Sequence, residues 1–336
     1  MKKNILLISV LLLGLSACAP QASQSQTGLT QISLALDWTP NTNHTGIYVA
    51  QQQGLYAQQR LALTLLPYSA NTTPEALVSS GKADFGMSFE QNVATARAAG
   101  EDVVSIAAII QHDTSIFIAS KNSQIQRPAQ FAGKRYATFG GPFESNIIQK
   151  MIKCDGGADT NFQSITVNLG ILDAVKHGQA DFSWGFLGWE GIEAQRQHLD
   201  VVTFPPTAYC VPDNYSPVII TSHRLIHQHP DEVRKFMAAT SRGYTYAIQH
   251  PDAAAQLLMK GVPAGTFDDP GLVIQSQEYL SQQYAKGASK WGIQTLPMWT
   301  AFPHFLFETG KEVDANGKPL AKEPDESQFF TNQFLL

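Results

Sequence analysis

Apolar and polar positions along this chain alternate in a fixed order: a short apolar run, a polar turn, then a stretch of helical period. Apolar runs at Gln31–Leu36, Ala62–Leu66, Asp84–Ser88, Val103–Ile110 and Ser115–Ser120 predict five strands. Five more follow at Arg135–Thr138, Ser164–Val167, Phe182–Gly185, Val201–Thr203 and Pro217–Thr221. Between them the helical period marks 46–53, 74–80, 90–99, 144–153, 171–177 and 189–197. Beyond residue 222 the chain turns mainly helical, over 230–249, 252–260, 270–285 and 296–309. This βαβα alternation predicts an α/β fold with largely parallel pairing.

The pattern echoes itself. Val78-Ser79-Ser80-Gly81-Lys82-Ala83-Asp84-Phe85 returns 97 residues later as Val175-Lys176-His177-Gly178-Gln179-Ala180-Asp181-Phe182. Each copy reads as a helix end, a glycine for the left-handed position, and entry into a strand. Thr72, Pro74 and Glu75 supply the first helix with a cap, an early-turn proline and a capping-box acid. The repeated unit predicts two lobes of similar topology. Ser115–Ser120 and Pro217–Thr221 are both apolar, both end in Ser or Thr, and are read as the two crossings between lobes. Lobe one is then 30–118 plus 219–336 and lobe two 119–218, around a cleft that closes by hinge bending.

The N-terminus changes the picture of where the chain resides. Lys2 and Lys3 precede the apolar stretch Ile5 to Leu15, and Leu15-Ser16-Ala17-Cys18 is a small-residue cleavage site ending in cysteine. The stretch is too short to cross a bilayer as a mature helix. The pattern resembles the bacterial lipobox, so residues 1–17 are expected to be a signal peptide and Cys18 the lipidated first residue. Residues 18–29, rich in Gln, Ser, Ala and Thr, are a flexible tether. The expected location is the extracytoplasmic face of the cell envelope, with the lipid as the only membrane contact.

Charge and cysteines narrow the classes. The 23 basic and 28 acidic side chains give −5, and loss of Lys2 and Lys3 with the leader makes the mature balance −7. No basic cluster is present, which excludes nucleic acid as a partner. Export permits a disulfide, but spacing alone does not bring Cys154 and Cys210 together, and both are read as free packing residues. Nothing has metal-ligand spacing. No GxSxG or HExxH motif occurs, and no catalytic set or cofactor is expected.

Candidate chemistry gathers at the strand-to-helix turns, where open α/β sheets hold ligands. The first turn, Asp37-Trp38-Thr39-Pro40-Asn41-Thr42-Asn43-His44-Thr45-Gly46, sets an indole beside small polar groups. Trp38 reads as a stacking platform rather than a strand-end core residue, because its neighbours are polar. That pairing suits a planar heteroaromatic ligand better than a phosphate, which calls for a glycine-rich or basic turn. Asn43 reads as a ligand contact or an N-cap, and His44 as a capping or ligand hydrogen-bonding group. Phe89 and Glu90 sit at the equivalent point after the third strand; Glu90 fits a cleft acid and a first-turn helix acid equally well. In lobe two, Gly140, Gly141, Phe143 and Glu144 form the matching turn, where glycines let backbone approach a ligand closely. Trp184, Trp189 and Glu190 place two indoles and an acid within seven residues, with Glu190 suited to accept from an exocyclic amine. Tyr215, beside the second crossing, is positioned to close over a ligand. Trp291 and Trp299 read as packing residues.

The block Leu36-Asp37-Trp38-Thr39-Pro40-Asn41-Thr42-Asn43-His44-Thr45-Gly46 resembles the signature of ThiY-type solute-binding proteins, which serve ABC importers for pyrimidine precursors of thiamine. The resemblance continues through Gly81-Lys82-Ala83-Asp84-Phe85-Gly86, Gly140-Gly141, Gly188-Trp189-Glu190-Gly191, Tyr215-Ser216-Pro217-Val218 and Trp291-Gly292. It implies a type II periplasmic-binding-protein fold, two lobes joined by a two-strand hinge. It implies formylaminopyrimidine or hydroxymethylpyrimidine as ligand, with permease and ATPase subunits as partners. The wider SsuA and thiamine-pyrimidine-synthase-like family includes an enzyme that consumes its own histidine and holds pyridoxal phosphate, and His44 falls where that histidine would lie. Two features oppose the enzyme: the export signal, and a single cysteine in Tyr209-Cys210-Val211-Pro212-Asp213-Asn214-Tyr215 where the synthase has a cysteine-rich cluster. Riboflavin or another aromatic solute is the remaining alternative as ligand. A sulfonate ranks last, because it demands cations that the candidate turns lack.

Overall fold

The computed structural model describes residues 28–335 except 139, 142, 168–169, 310–312 and 315–317. The expected leader, Cys18 and most of the tether lie outside the described residues. The ten strands are β1 (Thr30–Ala35), β2 (Leu61–Leu66), β3 (Phe85–Ser88), β4 (Val104–Ala108) and β5 (Ser115–Ser120), then β6 (Arg135–Thr138), β7 (Gln163–Thr166), β8 (Phe182–Phe186), β9 (Val201–Phe204) and β10 (Val218–Thr221). All ten fall on predicted apolar runs. The fully buried ones, β3, β4 and β10, read as near-continuous apolar sequence because both sheet faces are covered.

The strands form two five-stranded sheets of one design, ordered β2-β1-β3-β10-β4 and β7-β6-β8-β5-β9. The pairs β1–β2, β1–β3, β6–β7 and β6–β8 are parallel. In each sheet a strand from across the molecule inserts antiparallel: β10 between β3 and β4, and β5 between β8 and β9. The chain therefore crosses between sheets twice, over 109–114 and 205–217. The two strands read from sequence as crossings are themselves sheet members; the crossings are the segments that precede them.

The first sheet's lobe carries α1 (Thr45–Gln52), α2 (Leu55–Gln58), α3 (Pro74–Ser80) and α4 (Glu90–Ala98). The second carries α5 (Glu144–Cys154), α6 (Ile171–Lys176) and α7 (Ile192–Arg196). The helical tail follows as α8 (His223–Gln228), α9 (Pro230–Gln249), α10 (Pro251–Gly261), α11 (Pro270–Ser281) and α12 (Leu296–Glu308). Gly81 and Gly178 take the left-handed conformation the echo demands, at φ 74° and 68°. Thr73, one residue after the predicted cap, accepts from Ala76 N–H to start α3.

Two cores result. Phe85 stacks on Phe236 at 3.8 Å in the first, and Phe131 on Phe182 at 4.2 Å in the second. In the first, α1 and α9 cross closely because Gly243 meets the backbone of Gly46: a Cβ at Gly243 would lie 2.0 Å from the Gly46 carbonyl oxygen. Helix α12 reaches both lobes, with Trp299 in a further cluster against the first sheet and Phe302, Phe305 and Leu306 in the second core.

The cysteines correct the sequence reading. Cys154 and Cys210 form a disulfide, with Cα atoms 5.9 Å apart across 56 residues. It ties the end of α5 to the second crossing. Packing brought the two together, and separation along the chain gave no hint of it. Trp291 and Trp299 are buried, as expected. No helix of the described residues is long and apolar enough to cross a membrane.

Candidate ligand-binding site

The carboxyl ends of β1, β2, β3, β6 and β8 converge on one cavity of about 580 Å³ between the lobes. Ten of the thirteen candidates line it: Trp38, Asn43, Phe89, Gly140, Gly141, Phe143, Glu144, Trp184, Trp189 and Glu190. His44, Glu90 and Tyr215 do not.

The first turn explains why His44 stays outside. Asn41, not Asn43, is the cap: its side chain accepts from Asn43 N–H at 2.9 Å. His44 completes the capping box, its Nδ1 accepting from Asn41 N–H at 3.0 Å. With Nδ1 accepting, the ring proton sits on Nε2, which donates to Asp37 at 2.8 Å. The imidazole is fully buried with both nitrogens engaged, so it shapes the turn. Trp38 is then thrust outward, 42% exposed, against Tyr68 at 4.7 Å. Sequence reasoning missed Tyr68. Its signal was available: like Trp38, it follows a strand with a proline within two residues.

Glu90 and Tyr215 pack on each other instead of facing the cavity. Tyr215 N–H donates to the Glu90 carboxylate at 2.7 Å, and the Tyr215 ring lies against Trp299 with its hydroxyl near Thr295. Burial pushes the Glu90 carboxyl well above its ordinary range, helped by the charges of Asp213 and Asp113. Tyr215, Asp213 and Asp113 belong to the crossings, and Glu90 opens α4 beside them. Asp213 accepts from Asp113 N–H at 2.8 Å and contacts His112 Nδ1 at 2.6 Å, fastening one crossing to the other.

Lobe two supplies the opposite wall. Glu144 accepts from Tyr136 and Thr138 hydroxyls at 2.6 and 2.9 Å and from Gly141 N–H, so this acid builds the glycine turn. After β8 the chain makes a single π turn, Leu187–Gly191, a local irregularity common at functional positions. It turns Glu190 inward, where Phe186 N–H donates to it at 2.8 Å. Burial pushes the Glu190 carboxyl up to about 7, against the pull of its backbone hydrogen bonds. Trp184 meets Phe143 edge-on at 5.9 Å, and Phe186 lies parallel to Phe89 of the other lobe at 6.2 Å. Trp189 borders the cavity and packs on Phe267.

The two walls are fastened behind the cavity. Ser276 of α11 donates to the Gly188 carbonyl and accepts from the Thr42 hydroxyl at 2.6 Å. Arg196 and Asp269 add a two-point ion pair at 2.6 and 2.8 Å. Among the described residues the lining contains Asp37, Glu75, Glu101, Glu144 and Glu190 but no Lys, Arg or His. Among the described residues no cluster suits a metal ion. Such a surface stacks a flat ring and accepts hydrogen bonds from it, and it repels anions.

Comparison with known proteins agrees with this geometry. The chain is 25% identical over 268 residues to the formylaminopyrimidine-binding protein of Halalkalibacterium halodurans, covering 79% of this chain and 81% of that one. It is 26% identical over 325 residues to a 4-amino-5-hydroxymethyl-2-methylpyrimidine phosphate synthase of Legionella pneumophila, covering 91% and 92%. The alkanesulfonate-binding protein SsuA of Xanthomonas axonopodis pv. citri, solved bound to MOPS, shares the fold with a TM-score of 0.60 at 14% identity, over 84% of this chain and 91% of that one. The two-lobed architecture is that of periplasmic binding proteins. The family model described as NMT1/THI5 like matches residues 41–254, and the chain belongs to that family.

Proposed function

We propose that this chain is the extracytoplasmic binding component of an ABC importer and captures a thiamine pyrimidine precursor, formylaminopyrimidine or hydroxymethylpyrimidine. The observation that carries the reading is the cavity itself: aromatic on both walls, free of cations among its described lining residues, and lined by acids of which Glu190 is held by backbone N–H donors. Trp38 stacks on the ring and Glu190 accepts from its exocyclic amine. The lobes divide at the two crossings, 109–114 and 205–217, so β5 goes with lobe two and β10 with lobe one, a few residues from the boundaries read in the sequence, and the molecule hinges there. Cys18 carries the lipid that holds the protein to its membrane, and permease and ATPase subunits receive the ligand.

The synthase relative keeps an enzymatic reading in play. Against it, both nitrogens of buried His44 are committed to Asp37 and Asn41, which supports a structural histidine over a consumed one. A thermal-shift series with both pyrimidines tests the proposal. Ligand at a hundred times its Kd adds about 2.7 kcal/mol of stability. No shift with either compound at millimolar concentration overturns it. A yellow pyridoxal phosphate adduct with loss of mass at His44 establishes the synthase instead.

A further inference from the structure

Helix α12 is shared between the lobes. Near its start Trp299 is fully buried against Tyr215, Phe329 and Phe330, in the cluster that covers the first sheet. Its Nε1 donates at 3.0 Å to Gln294, which accepts from the Ser105 hydroxyl of β4 at 2.6 Å. Three residues on, Phe302 belongs to the second core, followed by Phe305 and Leu306. Asn146 of α5 fixes the end of the helix there, donating to the Thr309 hydroxyl at 3.0 Å. The chain then returns to the edge of the first sheet. The Phe329 carbonyl accepts from Ser105 N–H and Thr331 N–H donates to the Ser105 carbonyl, both at 2.8 Å. We propose that α12 is a third hinge element beside the two crossings, bending at Pro303 when the lobes close on a ligand. This rests on the proposed binding role and adds the part that governs how freely the cleft opens.

Three observations converge. First, both parts of the helix are anchored by large buried side chains, Trp299 on one side and Phe302, Phe305 and Leu306 on the other. Close-packed side chains do not leave their cores readily. A change in the angle between the lobes must therefore be taken up inside the helix, where its allegiance passes from one lobe to the other. Second, a proline stands at that changeover. Pro303 has no N–H to offer the Trp299 carbonyl four residues earlier, so the helical hydrogen bond that would join them is missing and the helix is soft there. Third, the changeover lies beside the second crossing. Phe302 borders the same small space as Val211, Asn214 and Ser216, and the Trp299 ring lies against Tyr215 at 6.3 Å. The helix thus passes close to the axis about which the lobes turn, where closure asks for a bend and not for a long displacement. Gln91 and Trp184 border that space and also line the ligand cavity, so the bend touches both walls of the site.

Spin labels on the full mature chain test this. Lys82→Cys and Gln179→Cys are exposed positions matched by the sequence echo, one in each lobe, and electron–electron resonance between labels there reads the distance between the lobes. Pro303→Ala restores the missing helical hydrogen bond. It is expected to narrow the spread of distances in ligand-free protein about twofold. It is also expected to slow closure at least threefold, followed by stopped-flow tryptophan fluorescence with hydroxymethylpyrimidine and with formylaminopyrimidine. Circular dichroism confirms that the variant is folded, and Pro303→Val, which leaves less empty volume, keeps the test open if the alanine variant unfolds. A folded variant whose distances spread as widely as in wild type overturns the third hinge, whether or not either pyrimidine binds. So does an unchanged closure rate with a pyrimidine that binds. A narrowed spread, with no response of wild type to either pyrimidine, upholds the hinge and overturns the pyrimidine reading.

Discussion

The two turns that face each other across the cavity hold their acids in opposite states. After β1, Asp37 is paired with His44, whose other nitrogen is spent on the capping box. After β8, Glu190 has backbone N–H donors and, among the described residues, no side-chain partner, and burial lifts its carboxyl to about 7. Both acids are half-buried, so burial does not separate them; partners do. An acid whose lone pairs are met by a side chain shapes its loop. An acid met only by backbone keeps acceptor capacity for a ligand. The scaffolds differ as well. Lobe two is cross-linked by Cys154–Cys210, whereas the first turn rests on hydrogen bonds.

Removing the cross-link is the largest perturbation expected. A loop of 56 residues freed by Cys154→Ser increases the entropy of the unfolded chain, and urea unfolding should show a loss of about 4 kcal/mol. Next is His44→Ala, which leaves Asp37 buried without its donor. Its stability should fall by about 3 kcal/mol in the same assay. If His44→Ala unfolds at the wild-type urea midpoint while ligand affinity collapses, the contrast between a structural and a receptive acid is broken.

Glu190→Gln probes the other side. Gln retains an acceptor for Phe186 N–H, so folding is preserved, while the charge-assisted bond to the ligand is lost. Affinity should drop by about 2 kcal/mol, roughly thirtyfold, by calorimetry. The sign of the pH effect sharpens the point. A free carboxyl titrates near 4.5 and Glu190 in the fold near 7. Between those values the folded chain holds the proton that the unfolded chain has released. This group's contribution to stability is therefore complete below about pH 4.5 and is lost as pH climbs to 7, on the order of 3 kcal/mol. The difference between wild type and Glu190→Gln should show that decline. Affinity should move the other way, rising from pH 6 to 8 in wild type and staying flat in the variant.

What the sequence made legible follows from the same physics. Strands buried on both faces must be apolar runs, and Gly81 and Gly178 suit only glycine, so the strands and their echo could be read directly, whereas the expected largely parallel pairing fails: β5 and β10 insert antiparallel, and four of the eight strand pairs run that way. Turns after strands could be located too, which is why ten candidates share one cavity. Which way a turn residue faces could not be read. Glu90 and Tyr215 lie on the right segments but point into packing that only the assembled chain creates, and His44 turns back into its own capping box. The disulfide and the sharing of α12 between the lobes depend on distances between elements, and no periodicity along the chain encodes those.

The smallest effect expected is the most direct test of the first turn. If the capping box exists to hold an indole outward, Trp38→Ala should cost the fold little. The ring is 42% exposed and Tyr68, against which it lies, is itself at the surface, so stability should stay within about 0.5 kcal/mol. Affinity should nevertheless fall by about 1–2 kcal/mol, the worth of one ring-on-ring stack. Trp38→Phe should recover part of it, because a smaller ring still stacks. A protein that unfolds earlier but binds as before would make Trp38 a packing residue, and both faces of the cavity would then be architecture, with recognition left to Glu190 and the rings around it.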